Sequence, residues 1–149
     1  MTALFRAATR DEVPAIAALL RDDILGAGRE SDDMERYFAA FDAMQAETDN
    51  HLIVADVAGQ IVGTYQLSFL SGLSLNATRR AQIEAVRIAQ PYRGQGLGAA
   101  LFADAEVRAR VAGCGLLQLT TNKTRDRAQA FYEALGFTAS HVGYKRSLD

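Results

Sequence analysis

The segment with the clearest chemical meaning in this chain is a glycine-rich run, Arg93-Gly94-Gln95-Gly96-Leu97-Gly98. It lies between an apolar run over residues 83–88 and an amphipathic run that begins near residue 97. A strand, a glycine-rich turn and a helix start predict an anion site, because the first N–H groups of a helix lack intrahelical partners and the helix dipole favours negative charge there. Glycines let the backbone approach a phosphate, and the arginine adds a charge-assisted donor. We therefore expect residues 93–98 to bind a phosphorylated ligand.

The glycine spacing excludes two common nucleotide sites. A P-loop requires G-x-x-x-x-G-K-[ST], and the Lys123-Thr124 pair has no glycine at that offset. The dinucleotide fingerprint requires G-x-G-x-x-G, whereas this run reads G-x-G-x-G and no acidic residue ends a following strand to hold a ribose. A glycine-rich connection without a ligand is the remaining alternative, although each glycine loses extra entropy on folding.

Two motifs resemble those of a known superfamily. Arg93, Gly96 and Gly98 fill the pattern R-x-x-G-x-G, which resembles the acyl-CoA-binding signature of the GNAT superfamily of N-acyltransferases. The run AQAFYEALGF, residues 128–137, resembles the second GNAT motif, a short helix that ends in Tyr-x-x-x-Gly-Phe. The resemblance covers residues 3–146 in element order and is specific over residues 80–138. It implies an acetyl-CoA-dependent N-acetyltransferase of the small-molecule type.

Composition limits the class of protein. The 149 residues predict one domain over 1–149, and the 49% hydrophobic content favours a sizeable core over disorder. The net charge of −2 supplies no basic field for nucleic acid. One cysteine, Cys114, permits no internal disulfide; we expect it in a tight Gly-Cys-Gly turn, and no Cys/His cluster indicates a metal. No apolar run suits a signal peptide or a membrane span, so we expect a cytoplasmic enzyme.

Periodicity and turn residues predict the order β-α-α-β-β-β-α-β-α-β. Thr9 and Glu12 form a capping box before the first helical stripe. The predicted strands are residues 3–8, 51–57, 60–70, 80–88, 116–121 and 139–146, and the predicted helices are 9–20, 32–47, 95–112 and 125–135. Consecutive strands predict antiparallel pairing, and the β-α-β unit predicts one parallel pair. We therefore predict an α/β (α+β) class, with a mixed, mostly antiparallel central sheet flanked by helices. The GNAT fold has the same order.

Acyl transfer to an amine requires a base, because only the neutral amine attacks, and donors that stabilise the oxyanion. GNAT proteins often place a glutamate that acts through a water on the strand before the phosphate loop, which points to Glu84, or in some members to the position of Gln82. A period of two puts both on one face with Val86 and Ile88, where desolvation would raise the pKa of the carboxyl group. The alternatives are an ion pair of Glu84 with a strand arginine, or simple exposure to solvent.

The leaving thiolate requires stabilisation or a proton, and the resemblance assigns this role to Tyr132, which matches the superfamily tyrosine that faces the CoA sulfur. Packing alone would also explain this residue, since Ala128, Phe131, Tyr132 and Leu135 form a helical stripe. A free thiol has a pKa of about 8.5, so we expect loss of Tyr132 to slow the reaction rather than abolish it.

The resemblance also implies where CoA binds. The backbone N–H groups of residues 93–98 would hold the pyrophosphate, and the strand edge at Val86, Arg87 and Ile88 would pair with the pantetheine arm. An N–H of this edge is the candidate oxyanion donor. Asn122 matches a position that often contacts CoA, although an Asx turn explains it equally well. His51 and His141 are expected to be structural.

Two signals about the acceptor amine disagree. The loop after the first helix is acidic, with Asp22, Asp23, Glu30, Asp32 and Asp33, which favours a cationic amine or serves only the following helix dipole. The stretch of residues 120–141 resembles the aminoalkylphosphonate acetyltransferases, which implies an amine that carries an anion. The acceptor is expected between residues 21–33 and the loop 71–79.

Other functions and partners remain open from the residues alone. A CoA-binding regulatory module without turnover is one alternative, and an acetyltransferase for a protein or aminoacyl-tRNA amine is another, although no basic patch supports tRNA binding. The expected partner is a small-molecule amine, with no nucleic acid and no membrane. A homodimer stays open, because Leu70, Leu73 and Leu75 suit a dimer contact and ordinary loop packing equally.

Overall fold

One mixed five-stranded sheet forms the centre of the structure. A computed structural model describes residues 2–22, 28 and 30–149, so Asp23 and Gly26 of the predicted acidic loop lie outside the described residues. The strands are β1 Leu4–Ala7, β2 Asn50–Val57, β3 Gln60–Leu70, β4 Arg80–Ile88 and β5 Leu116–Gln118, and they lie in this order across the sheet. The helices are α1 Val13–Arg21, α2 Met34–Ala46, α3 Ser74–Ala77, α4 Leu97–Val111 and α5 Asp126–Ala134.

The pairing confirms the predicted mixed sheet. Neighbours from β1 to β4 are antiparallel, and β4 and β5 form the parallel pair through the α4 crossover. This parallel pair is short, because only Arg80, Ala81 and Gln82 of β4 lie opposite β5. Residues 83–88 of β4 therefore have β3 on one edge and no strand of the described chain on the other.

Helices cover the two faces of the sheet and bury two groups of apolar side chains. On one face, α4 packs Leu101 against Tyr65, Leu67 and Ile83, all of which are fully buried. On the other face, α1 and α2 bury Val54 of β2. Truncation of such a buried Leu or Ile costs about 2–5 kcal/mol, so these two groups hold the sheet and helices in register.

A polar link fixes α4 to the sheet. The buried Tyr65 hydroxyl donates to Asp104 Oδ2 at 2.5 Å, and Arg108 Nε donates to the same oxygen at 2.8 Å. Arg108 Nη2 also donates to the carbonyl of Phe5 in β1, at 3.1 Å. Burial raises the pKa of Tyr65 and its hydrogen bond to Asp104 adds to this, so the phenol stays a donor. The link sets the position of α4 and hence of the loop that precedes it.

The last predicted strand is wrong. Residues 139–146 have no regular secondary structure, and every residue after Phe137 is exposed. A strand exists only when its backbone pairs with a neighbour, and no strand of the described residues pairs with this segment. The preceding strand is also shorter than predicted, ending at Gln118 rather than residue 121. Residues 139–146 thus have the alternating pattern of a strand, but no strand of the described residues lies beside them.

The predicted capping box is confirmed at the turn before α1. Glu12 Oε1 accepts from the Thr9 N–H at 2.8 Å, and it also accepts from Arg6 Nη1 at 2.9 Å. Arg6 Nε donates to Asp56 Oδ2 at 3.2 Å, so one guanidinium joins β1, β2 and the turn. The hydrogen bond from Arg6 lowers the pKa of Glu12 to about 2, although partial burial opposes this.

We predict that Glu12→Gln lowers the free energy of unfolding by about 1 kcal/mol near neutral pH, because glutamine can still cap the Thr9 N–H but removes the ion pair with Arg6. The pKa of Glu12 is depressed in the folded state, so its contribution is complete above the unfolded value of about 4.5 and disappears as the pH falls towards 2. Urea unfolding of both proteins between pH 3 and 7 measures this. Asp11→Asn is the control, and a wild-type advantage that grows on acidification would contradict the prediction.

Candidate active site

A β-bulge in β4 determines which side chains reach each face of the sheet. Glu84 lies opposite Gln66 and Arg87 lies opposite Thr64, so two residues of β4, Ala85 and Val86, lie opposite one residue of β3. Ala85 has φ = 53°, in the left-handed region that a non-glycine residue rarely occupies. Such a conformation costs on the order of 1–3 kcal/mol. The inserted residue reverses the alternation of side chains along the strand.

The bulge overturns one expectation about the catalytic strand. Ile83 belongs to the core beneath α4, and Val86 and Ile88 pack against that same core. Glu84 therefore does not share a face with Val86 and Ile88, because strict alternation assumes an uninterrupted strand. Glu84 is exposed and faces the side of Gln66, so the predicted burial among Val and Ile is wrong. Exposure to solvent is the alternative that the structure shows, and the role of Glu84 as a base stays a prediction.

A polar stripe that the sequence analysis missed crosses the sheet beside Glu84. We call it the amide stripe; its members are Asn50, Gln66, Ser68, Gln82 and Gln118. Gln66 Nε2 donates to Asn50 Oδ1 at 2.8 Å, and Gln118 Nε2 donates to Gln82 Oε1 at 3.0 Å. Polar residues at alternate positions of β3, otherwise an apolar strand, were the available signal. The register of the paired strands is what shows that four strands contribute side chains to one surface.

The predicted phosphate loop has the backbone that an anion site requires. Gly94 and Gly96 have φ = 72° and 84°, and a Cβ atom at either position would meet nothing within 4 Å. Gly96 precedes α4, and its carbonyl accepts the N–H of Ala100 at 3.1 Å. The N–H groups of residues 97–99 thus form the first turn, where helices leave donors without intrahelical partners. Unpartnered donors at a helix start, beside glycines that carry no side chains, are the features that a diphosphate site requires.

Gly98 has a different local role from its two neighbours. A Cβ atom there would lie 3.2 Å from Cζ of Phe131, closer than most real contacts. The absence of a side chain therefore lets the Phe131 ring of α5 rest on the first turn of α4. This contact joins the two motifs that carry the GNAT resemblance, and it explains the third glycine by packing.

Three side chains that were predicted to bind CoA form hydrogen bonds with the protein's own backbone in this structure. Arg93 Nε donates to the Ile88 carbonyl at 2.9 Å, and Nη2 donates to the Asp22 carbonyl at 3.0 Å, so the side chain braces the loop between β4 and α1. Asn122 Oδ1 accepts from the Thr124 N–H at 3.0 Å, which is the Asx turn that the sequence analysis left open. Gln95 likewise donates to the Pro91 carbonyl at 2.7 Å.

Tyr132 lies on the α4 side of the open strand edge. It is half-buried, and its ring meets Phe102 and Phe137 edge-on, with centroids 5.5 and 6.2 Å apart. Burial raises the pKa of its hydroxyl, while the charges of Arg125 and Arg87 act in the opposite direction. The phenol is therefore protonated at neutral pH and able to donate. Tyr132, Val86 and Ile88 all pack against the core that lies between the sheet and α4.

The described acidic residues between α1 and α2 mostly have partners within the protein. Asp22 lies 3.6 Å from Arg93, and Glu30 accepts from the Tyr37 hydroxyl at 2.7 Å. Asp33 accepts from the Arg36 N–H at 3.4 Å and so caps α2. These contacts favour a structural role for the acids over capture of a cationic amine.

Cys114, His51 and His141 have partners in their own surroundings. Cys114 follows Gly113, which has φ = 79°, and its N–H donates to the Ala109 carbonyl at 2.9 Å. This confirms the predicted tight turn, and burial raises the pKa of the Cys114 thiol. His51 contacts the Phe69 ring at 5.2 Å, and the exposed His141 lies 2.6 Å from Ser140 Oγ. Neither histidine contacts Glu84 or Tyr132.

Residues 14–137 match the acetyltransferase (GNAT) family. The chain belongs to the GNAT family. Its five-stranded mixed sheet and flanking helices have the architecture of solved GNAT neighbours, and its class of enzyme is that of the acyltransferases. Within the described ranges, no helix combines the length and apolar content of a membrane span, and no three His, Cys, Asp or Glu side chains converge as metal ligands would.

Three proteins are similar to this GNAT chain over nearly its whole length. It is 29% identical over 143 residues to the aminoalkylphosphonate N-acetyltransferase of Salmonella typhimurium, covering 96% of this chain and 90% of that protein. A transcriptional regulator from Bacillus halodurans C-125 has a TM-score of 0.94 and 40% identity, covering 98% and 99% of the two chains. A putative acetyltransferase from Agrobacterium tumefaciens has a TM-score of 0.86 and 28% identity, covering 97% and 99%.

We predict that Gly96→Ala raises the dissociation constant for CoA at least tenfold, or about 1.4 kcal/mol, because its methyl group would enter the space in front of the first-turn donors. Isothermal titration calorimetry measures this. Gly59→Ala is a matched control, since Gly59 has φ = 87°, equally open surroundings and a place in the distant β2–β3 turn. An equal loss of affinity in both variants would show that strain, and not the site, is responsible.

Proposed function

We propose that this GNAT enzyme moves an acetyl group from acetyl-CoA to the primary amine of a small molecule, by direct attack while both are bound. The open edge of β4, residues 83–88, is the observation that carries the proposal. It leads to the phosphate loop, with Tyr132 on its α4 side and Glu84 with the amide stripe on its other face. Because groups lie on both faces of this edge, acetyl-CoA and the amine can approach the same point of the strand from different sides. Since the reaction requires acetyl-CoA, the proposed compartment is the cytoplasm.

The backbone would supply most of the affinity for CoA. The N–H groups from Gly94 to Gly98 hold the diphosphate, and β4 at Val86, Arg87 and Ile88 offers its free edge to the amide-bearing pantetheine arm, as to an added strand. Arg93 and Asn122 contribute indirectly, since both shape the backbone beside the site. Acetyl-CoA supplies an activated thioester when bound. The bulge withdraws a backbone N–H from the β3–β4 ladder, and the N–H of Val86 is the proposed oxyanion donor.

Two side chains would move protons. Glu84 accepts the proton of the acceptor ammonium, through a water that its exposed position allows. Tyr132 donates to the departing sulfur, and its raised pKa keeps that proton available. The two groups lie on opposite sides of one strand, so each serves one end of the transfer. Because a thiol has a pKa of about 8.5, the sulfur leaves more slowly but still leaves without the phenol.

The acceptor that these residues fit best is a small amine bearing a phosphonate or phosphate group. Asp22, Glu30 and Asp33 of the acidic loop already interact with other groups of the protein, so they give little support to a polycationic acceptor. Arg80 and Arg87 lie on the face of β4 that carries Glu84, and their guanidinium groups suit a bidentate anion. The Salmonella typhimurium relative acts on aminoalkylphosphonates and supports this choice.

A regulatory protein that binds acyl-CoA without turnover is the second candidate. The Bacillus halodurans structure with 40% identity is that of a transcriptional regulator, which favours this alternative. Release of free thiol from acetyl-CoA distinguishes the two functions. We expect release to require an amine and to be fastest with aminoalkylphosphonates, slower with the same amines lacking the anion, and slowest with polyamines. Tight CoA binding with no release for any amine would favour the regulator.

We predict that Tyr132→Phe lowers kcat about 10- to 100-fold and that Glu84→Gln lowers it about 100-fold, the low end of general acid–base effects. The KM for acetyl-CoA should change little in either variant, since neither side chain is placed on the diphosphate. Steady-state thiol release measures both, with Glu133→Gln on α5 as the control. Because the pKa of Tyr132 is raised above its ordinary 10.0, its ionisation should cause no loss of wild-type kcat up to pH 9. Unchanged kcat in both variants would remove these residues from the mechanism.

A further inference from the structure

We propose that the amide oxygen of Gln66 binds the nitrogen of the acceptor amine, and that Glu47 and Asn50 hold the Gln66 amide in the orientation that this requires. Because this role rests on the acetyl transfer proposed above, it names a determinant of the specificity of that reaction. Two hydrogen bonds carry it. Asn50 Nδ2 donates to Glu47 Oε2 at 2.8 Å, and Gln66 Nε2 donates to Asn50 Oδ1 at 2.8 Å.

The carboxylate of Glu47 decides the direction of both hydrogen bonds. A carboxylate only accepts hydrogen bonds, so Asn50 must present its Nδ2 to Glu47 and its Oδ1 to the other side. That oxygen in turn accepts from Gln66, which must therefore present its Nε2. The two ends of an amide diverge from one carbon, so the Oε1 of Gln66 is the end that faces away from Asn50. A charged group thus fixes an amide that could otherwise lie either way round.

The stability of helix α2 does not explain the acid at position 47. Glu47 directly follows α2, and its N–H donates to the Met44 carbonyl at 3.1 Å. A negative charge at the C-terminal end of a helix is unfavourable, because the helix dipole is negative there. The last turn of α2 contains no basic residue that would offset it. Control of the Asn50 amide, three residues later, gives this carboxylate a role.

The Gln66 side chain lies beside the proposed base. Gln66 of β3 and Glu84 of β4 are directly opposite each other, and side chains at such positions have Cβ atoms about 4.5–5.5 Å apart. Among the described residues, the only hydrogen bond of the Gln66 side chain is the one to Asn50. Gln66 is half-buried and Glu84 is exposed. An amide oxygen and a carboxylate, both hydrogen-bond acceptors, are thus neighbours on one face of the sheet.

Two neighbouring acceptors favour a ligand atom that carries several donors. An amine or ammonium nitrogen has two or three N–H groups, so it can donate to Gln66 Oε1 and, through water, to Glu84 at the same time. An alcohol oxygen has a single O–H group, which leaves one of the two acceptors without a partner. A site built on such hydrogen bonds rejects an analogue that lacks a donor. Gln66 therefore selects nitrogen over oxygen as the acceptor atom.

Reversal of the Gln66 amide by Glu47→Lys tests this role. An ammonium group only donates hydrogen bonds, so Asn50 would turn its Oδ1 towards the new lysine, and Gln66 would present Nε2 to the ligand. We expect the KM for an aminoalkylphosphonate to rise about 10-fold, the low end for a hydrogen bond to a charged group, with no change in the KM for acetyl-CoA. Inhibition by the matching hydroxyalkylphosphonate should not weaken, because a hydroxyl group both donates and accepts. Thiol release in 1 M salt, which screens charges beyond about 3 Å, measures these constants.

Two further variants separate the orientation of the amide from a general change in structure. In Glu47→Lys/Asn50→Asp, the new carboxylate accepts from both the new lysine and Gln66, so the original orientation of Gln66 returns although the lysine remains. We expect this variant to recover the wild-type KM for the amine. Gln66→Met keeps the approximate size of the side chain but removes the amide. It should raise the KM for the amine as Glu47→Lys does, and Asn50→Asp should not rescue it.

The outcomes distinguish this role from the proposed function itself. If wild type acetylates the amine but its KM is unchanged in Glu47→Lys or in Gln66→Met, the role of these three residues is overturned and the function stands. A double variant as impaired as Glu47→Lys, or equal losses for the amine and the hydroxyl analogue, would overturn the role in the same way. A wild type that acetylates no amine would instead remove the proposed function, and this role with it.

Discussion

The short pairing of β4 with β5 is the constraint on which the rest of this structure depends. The two parallel strands share only Arg80, Ala81 and Gln82 of β4 before they separate. If this ladder were longer, β5 would form hydrogen bonds with the edge of β4 over residues 83–88. Because it does not, one sheet presents an unpaired backbone edge that ends at the start of α4. The proposed cofactor site, the position of Tyr132 and access to Glu84 all follow from that separation.

Strain and close packing hold the open edge in a defined shape. Ala85 adopts a left-handed conformation so that β4 can insert a residue, and the insertion turns Glu84 and Val86 to different faces. Gly98 admits the Phe131 ring onto the first turn of α4, which fixes α5 and therefore Tyr132 relative to the phosphate loop. The core beneath them is tightly buried, since Ile83 is 1% exposed and Leu101 is fully buried. This packing holds the strained strand and the helix start in place. The contact between Gly98 and Phe131 therefore holds the two motifs next to each other.

Among the described residues, the outer edge of β5 also has no strand partner. The edge of β4 leads to the glycine-rich loop before α4, whereas β5 lies beside a groove that Leu116, Leu117 and Phe137 help to line. Backbone groups of both edges require partners of the kind that a strand provides. A small molecule with amide groups suits the first edge.

Local interactions explain what the sequence determined by itself. The capping box at Thr9 and Glu12, the bounds of β3 and β4 and the turn at Cys114 depend on residues a few positions apart, and all were predicted. The helix after the glycine-rich loop was also predicted, although it starts at Leu97 rather than at residue 95. Tertiary structure alone decided the other features. The bulge depends on register with β3, the brace from Arg93 depends on the distant backbone of α1, and the amide stripe requires four strands side by side. The missing last strand has the same cause, since an alternating pattern specifies a strand only when another chain segment supplies its hydrogen bonds.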